Sequence, residues 1–356
     1  MAKKTSGLYA IGDIHGMTKE MLINLEYQGV VNEAGDWDAG SGTLVQIGDL
    51  TDRGPDGYGV MRKLFELNKQ AKKKKGKVHV TIGNHDVGFL NCAVFLTRRP
   101  ELKKKLEAVA ELTPVDGDPD KNKALKYAVL GAATNAILGY AQSNHPDPVG
   151  IDEADMPNET QELKVFRDQM SDMILNGMNM RDLMKVCEDA DVLKWAVAMP
   201  AMVTVDGVLF QHCDSHRVYK YLERQAGDFE GTPMEKVNHA TTMIMLNPSI
   251  NLGYELWSVT TAGRYWEDNP QSIPAHIQYF APGATKVAHG HTRLFGEFLP
   301  SEYANGQAVN LDVGLAYSPH HCGKTGRMVN LTEHAIAFRA KLPPVKRKPR
   351  KQKARS

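Results

Sequence analysis

The sequence predicts an α/β protein, and three observations carry that prediction. Short apolar runs at Leu8-Tyr9-Ala10-Ile11, at 43–49 and at 77–82 alternate with stretches of helical spacing. Each run ends in a short polar side chain beside glycine, and these residues (Asp13, Asp49 and Asn84) fall about 35 residues apart, the length of a strand–helix–strand unit. In sheets built from such units, ligands gather at the carboxyl ends of the strands, where the polar residues lie.

Taken in order, residues 8–13 read as a strand opening into Gly12-Asp13-Ile14-His15-Gly16. Residues 17–30 carry Met21, Leu22, Leu25 and Val30 at helical spacing. The second strand, 43–49, runs into Gly48-Asp49-Leu50-Thr51-Asp52-Arg53-Gly54, and a helix follows over 56–71. The third, 77–82, runs into Gly83-Asn84-His85-Asp86. Residues 88–200 change character. They are rich in Lys, Glu, Leu, Ala and Met and read as a helical insertion of three or four pieces, its methionines serving as core filler or as an adaptable surface. A hairpin turning at Asp206-Gly207 leads to Gln211-His212. A helix covers 233–246, a strand at 285–289 runs into His289-Gly290-His291-Thr292, another spans 307–313, and a last hairpin pairs 327–331 with 335–339. His79 and His216 read as packing or rim residues.

The composition excludes several classes. Apolar residues make up 42 % and charged residues 24 %, as in a globular protein. No apolar run approaches the roughly 18 residues a membrane helix needs. The start, Met-Ala-Lys-Lys-Thr-Ser, leaves no room for a signal peptide, and four scattered cysteines point to reduced thiols, so a cytoplasmic setting is expected. The net charge of +1 conceals a tail, 343–356, with Lys346, Arg347, Lys348, Arg350, Lys351, Lys353 and Arg355 and no acid. That tail reads as a solvated disordered end or as a nucleic-acid contact.

Acids, an amide and imidazoles at four loops suit divalent metals, which take oxygen ligands and neutral nitrogens. Asp49 is placed to bridge two ions, with Asp13 and His15 on one and Asn84 on the other. His289 and His291 can serve one each, and His212 adds a nitrogen. Ions about 3.5–4 Å apart can hold a bridging hydroxide and clamp a phosphate for in-line displacement. His85, oriented by a carboxylate such as Asp52, suits a general acid, and Arg53 offers a planar fork for phosphate oxygens.

GDIHG, GDLTDRG, GNHD, strand-borne His212 and HGHT, in that order, resemble the calcineurin-like metallophosphoesterases, above all their phosphoprotein phosphatase branch with its bacterial and phage members. The resemblance covers about 8–90 and 203–315. It implies a four-layer α-β-β-α sandwich over 1–342, with the helical insertion inside it. It implies two divalent metal ions (Mn, with Fe, Zn or Ni as the other choices) on Asp13, His15, Asp49, Asn84, His212 and His289, with His291 matching a more variable second histidine. It further implies His85 and Asp52 as the leaving-group dyad and Arg53 as a phosphate clamp. Arg264, closing Glu255-Leu-Trp-Ser-Val-Thr-Thr-Ala-Gly-Arg264, becomes a second phosphate-binding candidate. The chain departs from the pattern at Asp86, where the protein phosphatases carry Glu, and at Cys213-Asp214 after His212. The expected activity is hydrolysis of phosphoserine or phosphothreonine esters. A diadenosine tetraphosphatase or a nucleic-acid phosphoesterase using the same site is the alternative, and a scaffold with a degenerate site is the rival from another class.

Overall fold

The three apolar runs at the head of the chain become one parallel sheet. β1 (Leu8–Ile11), β2 (Thr43–Gln46) and β3 (Lys77–Val80) lie in the order β1-β2-β3, with Leu8 opposite Thr43 and Thr43 opposite Lys77. Parallel neighbours need a crossover, and α1 (Thr18–Tyr27) and α2 (Gly57–Lys73) supply it. The structure, a computed structural model, describes residues 7–113, 123–144, 158–246, 266, 269–293, 301–312 and 314–315. β2 stops at Gln46, three residues short of the apolar pattern. The buried Gln46 amide donates to the Gly12 and Gly48 carbonyls and accepts from Gly48 N, so a side chain takes over from the ladder and the chain turns toward Asp49.

The second sheet holds β4 (Met202–Val205), β5 (Val208–Gln211), β6 (Lys286–His289), β7 (Ser301–Tyr303) and β8 (Ala308–Asn310), in the order β4-β5-β6-β8-β7. β5, β6 and β8 are parallel, and β4 and β7 are antiparallel edges. The β4–β5 hairpin turns at Asp206 (φ 48°) and Gly207 (φ 75°), two left-handed residues that match the twist of the flanking strands. Leu8, Val45 and Ile47 share a small buried cluster with Phe210, Ala288 and Val309, so it draws on both sheets. The alternate residues, Leu44, Val78 and Val80 of one sheet and Leu209, Val287 and Ala308 of the other, belong to the larger core with the helices.

Between β3 and β4 the described residues form six helices rather than three or four. They are α3 (Asn84–Thr97), α4 (Pro100–Ala110), α5 (Lys123–Asn144), α6 (Asn158–Leu175), α7 (Met180–Glu188) and α8 (Ala190–Ala196). Helix α3 opens at Asn84 itself, so the third motif is a first helical turn and not a loop. Met170, Met173, Met178, Met180, Met184 and Met199 are all buried in the core, which is the filler reading of the methionine-rich stretch. Phe95 of α3 and Phe166 of α6 stack with ring centroids 4.3 Å apart, both fully buried. Phe166→Ala is expected to destabilise the protein by about 3–5 kcal/mol, read from denaturant unfolding.

The remaining helices are α9 (His216–Gln225), α10 (Pro233–Leu246) and α11 (Ile273–Phe280). Helix α10 has the bounds its pattern predicts. His216 opens α9 where the sequence shows no obvious helix, because only Val218, Tyr219 and Leu222 face inward. The hairpin at 327–339, the tail at 343–356 and Arg264 lie outside the described residues. Among the described residues, no helix is long and apolar enough to cross a membrane.

Candidate metal centre

Four loops are tied to one another by backbone and carboxylate hydrogen bonds. Ile14 N and His15 N both donate to the Asp49 carbonyl, at 3.0 and 2.8 Å. His85 N donates to Asp49 Oδ1 at 3.0 Å. His291 N donates to Asp13 Oδ2 at 3.1 Å, and Gly290 N to the His212 carbonyl at 2.9 Å. The loop after β2 packs so closely on the third that a Cβ on Gly83 would collide with the Asp49 carboxylate. Asp86 clamps the same two loops, accepting from Leu50 N at 2.8 Å and from Gly83 N at 3.0 Å. Its departure from the usual Glu therefore falls on a structural carboxylate. Asp214 has a similar duty, accepting from the Thr292 hydroxyl at 3.0 Å and fixing the loop after β6.

The backbone is strained where the candidate residues sit. Among the described residues nine non-glycine positions have left-handed φ, and five of them are His15 (48°), Asp49 (54°), Asp52 (67°), Arg53 (62°) and His291 (66°). Such positions cost about 1–3 kcal/mol each and persist only where the surroundings over-determine them.

The buried donor atoms fit divalent ions. His15 Nδ1 donates to the Thr51 carbonyl at 2.9 Å, and His212 Nδ1 to the Ile47 carbonyl at 2.9 Å. Each bond fixes the tautomer and leaves the Nε2 lone pair directed inward, the arrangement typical of metal-binding imidazoles. Those nitrogens lie on either side of one carboxylate. His15 Nε2 is 3.4 Å from Asp49 Oδ2, and His212 Nε2 is 3.4 Å from Asp49 Oδ1. Asn84 Oδ1 lies 3.1 Å from His212 Nε2 and 2.9 Å from His291 Nδ1. Asp13, Asp49 and His212 form one group able to hold an ion, and His15, Asp49 and His85 another.

The structure places His289 and His291 apart. His289 stays out of the cluster: its Nδ1 meets the Gly290 carbonyl at 3.0 Å and its Nε2 meets the Tyr303 hydroxyl at 2.6 Å. Strand alternation would place residues two apart on one face, but β6 ends at His289 and His291 is left-handed, so the alternation breaks between them.

The dyad residues meet. His85 Nδ1 lies 2.7 Å from Asp52 Oδ2. Arg53 reaches between the two sets, donating to His15 Nε2 at 2.7 Å and standing 2.9 Å from His85 Nε2. Burial pushes Asp49 up, but the His212, His85 and His15 rings and the Arg53 guanidinium outweigh it and hold the carboxyl below its usual range. Burial and the Arg53 charge hold His15 well below an ordinary imidazole, which keeps it neutral. Burial opposes charge on His85 too, yet the Asp49 and Asp52 carboxylates prevail and raise it. Burial, with the Asp312 and Asp49 charges, pushes Asp13 well up.

Asp312 is the site residue that motif reading misses. It is buried at the end of β8, close enough to Asp13 for the two charges to repel. It carries the strand–acid–glycine signature of the other loops in Asp312-Val313-Gly314, without a histidine or arginine to mark it.

An uncharacterised protein of Schizosaccharomyces pombe is 46 % identical over 86 residues, 24 % of this chain and 25 % of that protein. The Shewanella-like protein phosphatase 2 of Arabidopsis thaliana is 32 % identical over 85 residues, 24 % of this chain and 22 % of that one. The symmetrical bis(5'-nucleosyl)-tetraphosphatase of Cellvibrio japonicus is 30 % identical over 135 residues, 37 % of this chain and 42 % of that one. The matched stretch thus spans less than half the length of each relative. A cold-active protein tyrosine phosphatase of known structure shares the fold, with a TM-score of 0.51 at 15 % identity over 87 % of this chain and 70 % of that one. Residues 8–169 match the family model for calcineurin-like phosphoesterases.

Proposed function

We propose that the chain is a dinuclear-metal phosphomonoesterase acting on phosphoserine or phosphothreonine in proteins. One observation carries this reading: a single buried carboxylate, Asp49, presents one oxygen to His15 Nε2 and the other to His212 Nε2, each at 3.4 Å. Asp13, His15 and Asp49 would hold one ion, and Asp49, Asn84, His212 and His291 the other. Mn²⁺ is the expected occupant, although a nitrogen and oxygen donor set also accepts Fe, Zn or Ni. Bound divalent ions would supply Lewis acidity and an activated water nucleophile.

The chain's own residues supply the rest. The Arg53 guanidinium, flanked by His15 and His85, is placed to take phosphate oxygens as a fork. His85, held by Asp52, donates the proton that a serine or threonine alkoxide needs on leaving. The names of the tetraphosphatase relatives favour a second reading, a dinucleoside polyphosphate on the same centre. The intact donor set argues against a scaffold with a degenerate site.

The test is the Mn²⁺-reconstituted protein on p-nitrophenyl phosphate and its bis-ester, followed by phosphoserine peptide and diadenosine tetraphosphate. We expect the monoesters to react at least about ten-fold faster in kcat/KM. A faster bis-ester or tetraphosphate would overturn the assignment.

A further inference from the structure

We propose that the helical insertion positions Arg53, by clamping the Arg53–Tyr58 segment with the turn between α6 and α7 and the helix that follows. Four bonds run in parallel order along the two segments. Arg53 N donates to the Gly177 carbonyl at 2.8 Å. The Asn179 side-chain amide donates to the Pro55 carbonyl at 3.3 Å. Gly57 N donates to Asp182 Oδ2 at 2.7 Å, and the Tyr58 hydroxyl to Asp189 Oδ2 at 2.9 Å. Their partners are 125 and 131 residues apart in the chain for the last two, so these are tertiary contacts and not local turn chemistry.

The segment needs an outside partner. Asp52 and Arg53 are consecutive left-handed residues, and neither is glycine. Within the loop, Gly54 N donates to the Asp52 carbonyl at 2.6 Å. The Arg53 N–H is taken by the carbonyl of Gly177, itself left-handed at φ 96°. A Cβ there would stand 3.1 Å from Arg53 N, so the turn is pressed directly onto the arginine backbone.

Asp182 is the anchor. It is 1 % exposed, and its carboxylate lies at the open N-terminus of α2. That helix's own cap, Asp56, accepts from Gly59 N at 3.0 Å, which leaves Gly57 N to the insertion. Asp182 also sits in the first turn of α7, so one acid serves the positive ends of two helices. Burial pushes it up to about 6, as expected for a carboxylate drawn into a packed interface. Asp52 and Arg53 lie at the head of the clamped segment, so its position decides where both the guanidinium and the partner of His85 stand. Gly177, Asn179 and Asp182 are therefore positioning residues, acting through Arg53.

The effect on turnover rests on the phosphatase reading; the clamp itself does not. The experiment uses the full chain with Mn²⁺ and has two arms. In Asp182→Ala, amide exchange over 51–58 is expected to accelerate about ten-fold, while bound Mn²⁺ stays at the wild-type level. KM for p-nitrophenyl phosphate and the inhibition constant of inorganic phosphate should both rise about five-fold, with kcat changed less. Asp182→Asn keeps an acceptor for Gly57 N and should restore all three. In an Arg53→Ala background Asp182→Ala should add less than about two-fold to KM. Tyr58→Phe, which removes one hydroxyl, should raise exchange in the same direction and serves if Asp182→Ala does not fold. Wild-type exchange in both variants, or an undiminished KM effect without Arg53, overturns the proposal. A wild-type protein without turnover overturns the phosphatase reading instead, and the exchange arm still decides the clamp.

Discussion

Asp49→Asn is expected to abolish metal-dependent turnover, lowering kcat/KM by about 10³-fold or more. The substitution is nearly isosteric. Asn retains an oxygen that can accept from His85 N, so the third loop need not move. What it removes is the charge, at the one carboxylate that faces both His15 and His212. The loss is therefore electrostatic before it is structural. Without the charge, neither donor set keeps its shared anion, and both ions should bind more weakly. Metal analysis after dialysis should show lower Mn²⁺ content than in the wild type, while thermal unfolding of the metal-free protein at neutral pH should show a loss of stability. The surrounding rings and Arg53 hold the Asp49 carboxyl below its usual range, so its charge stabilises the fold and the amide forfeits that contribution. Full activity in Asp49→Asn would sink the two-ion reading.

Motif reading finds most of this centre because its chemistry is local. A strand end, a glycine and a short polar side chain occupy consecutive positions, so Asp13, His15, Asp49, Asn84 and His85 are marked by their own neighbours. What it misses depends on contacts made elsewhere. His289 and His291 differ only in where β6 stops, and that is set by pairing with β8 rather than by the two residues themselves. Asp312 has the right position without a marking neighbour. The start of α3 at Asn84 is hidden because a glycine before a helix reads as a turn, and because Asp86 caps the helix through Gly83 N, a bond that periodicity does not register. The tie between the insertion and the Arg53 loop joins residues more than a hundred positions apart, and no pattern within either segment announces it.

His85→Ala should separate the leaving-group proton from metal binding. For a phosphoserine peptide kcat is expected to fall about 10²–10³-fold, since an alkoxide is a poor leaving group unless it is protonated as it departs. For p-nitrophenyl phosphate the fall should be much smaller, because nitrophenolate leaves without that proton. Mn²⁺ content should stay near the wild-type level, as the ring is bonded to Asp52 and stands beside Arg53. The pH dependence has a definite sign. The Asp49 and Asp52 carboxylates raise His85 against the effect of burial, so the ring holds its proton to higher pH than a free imidazole. Turnover of the alkyl ester should accordingly decline as pH rises through that raised value, and His85→Ala should lose this limb of the profile. Asp52→Asn should keep the limb but shift it to lower pH, because the ring loses one of the two anions that hold its proton. A variant in which both esters lose the same factor would place His85 in phosphate binding rather than proton donation, and a fall in Mn²⁺ content would place it among the ligands.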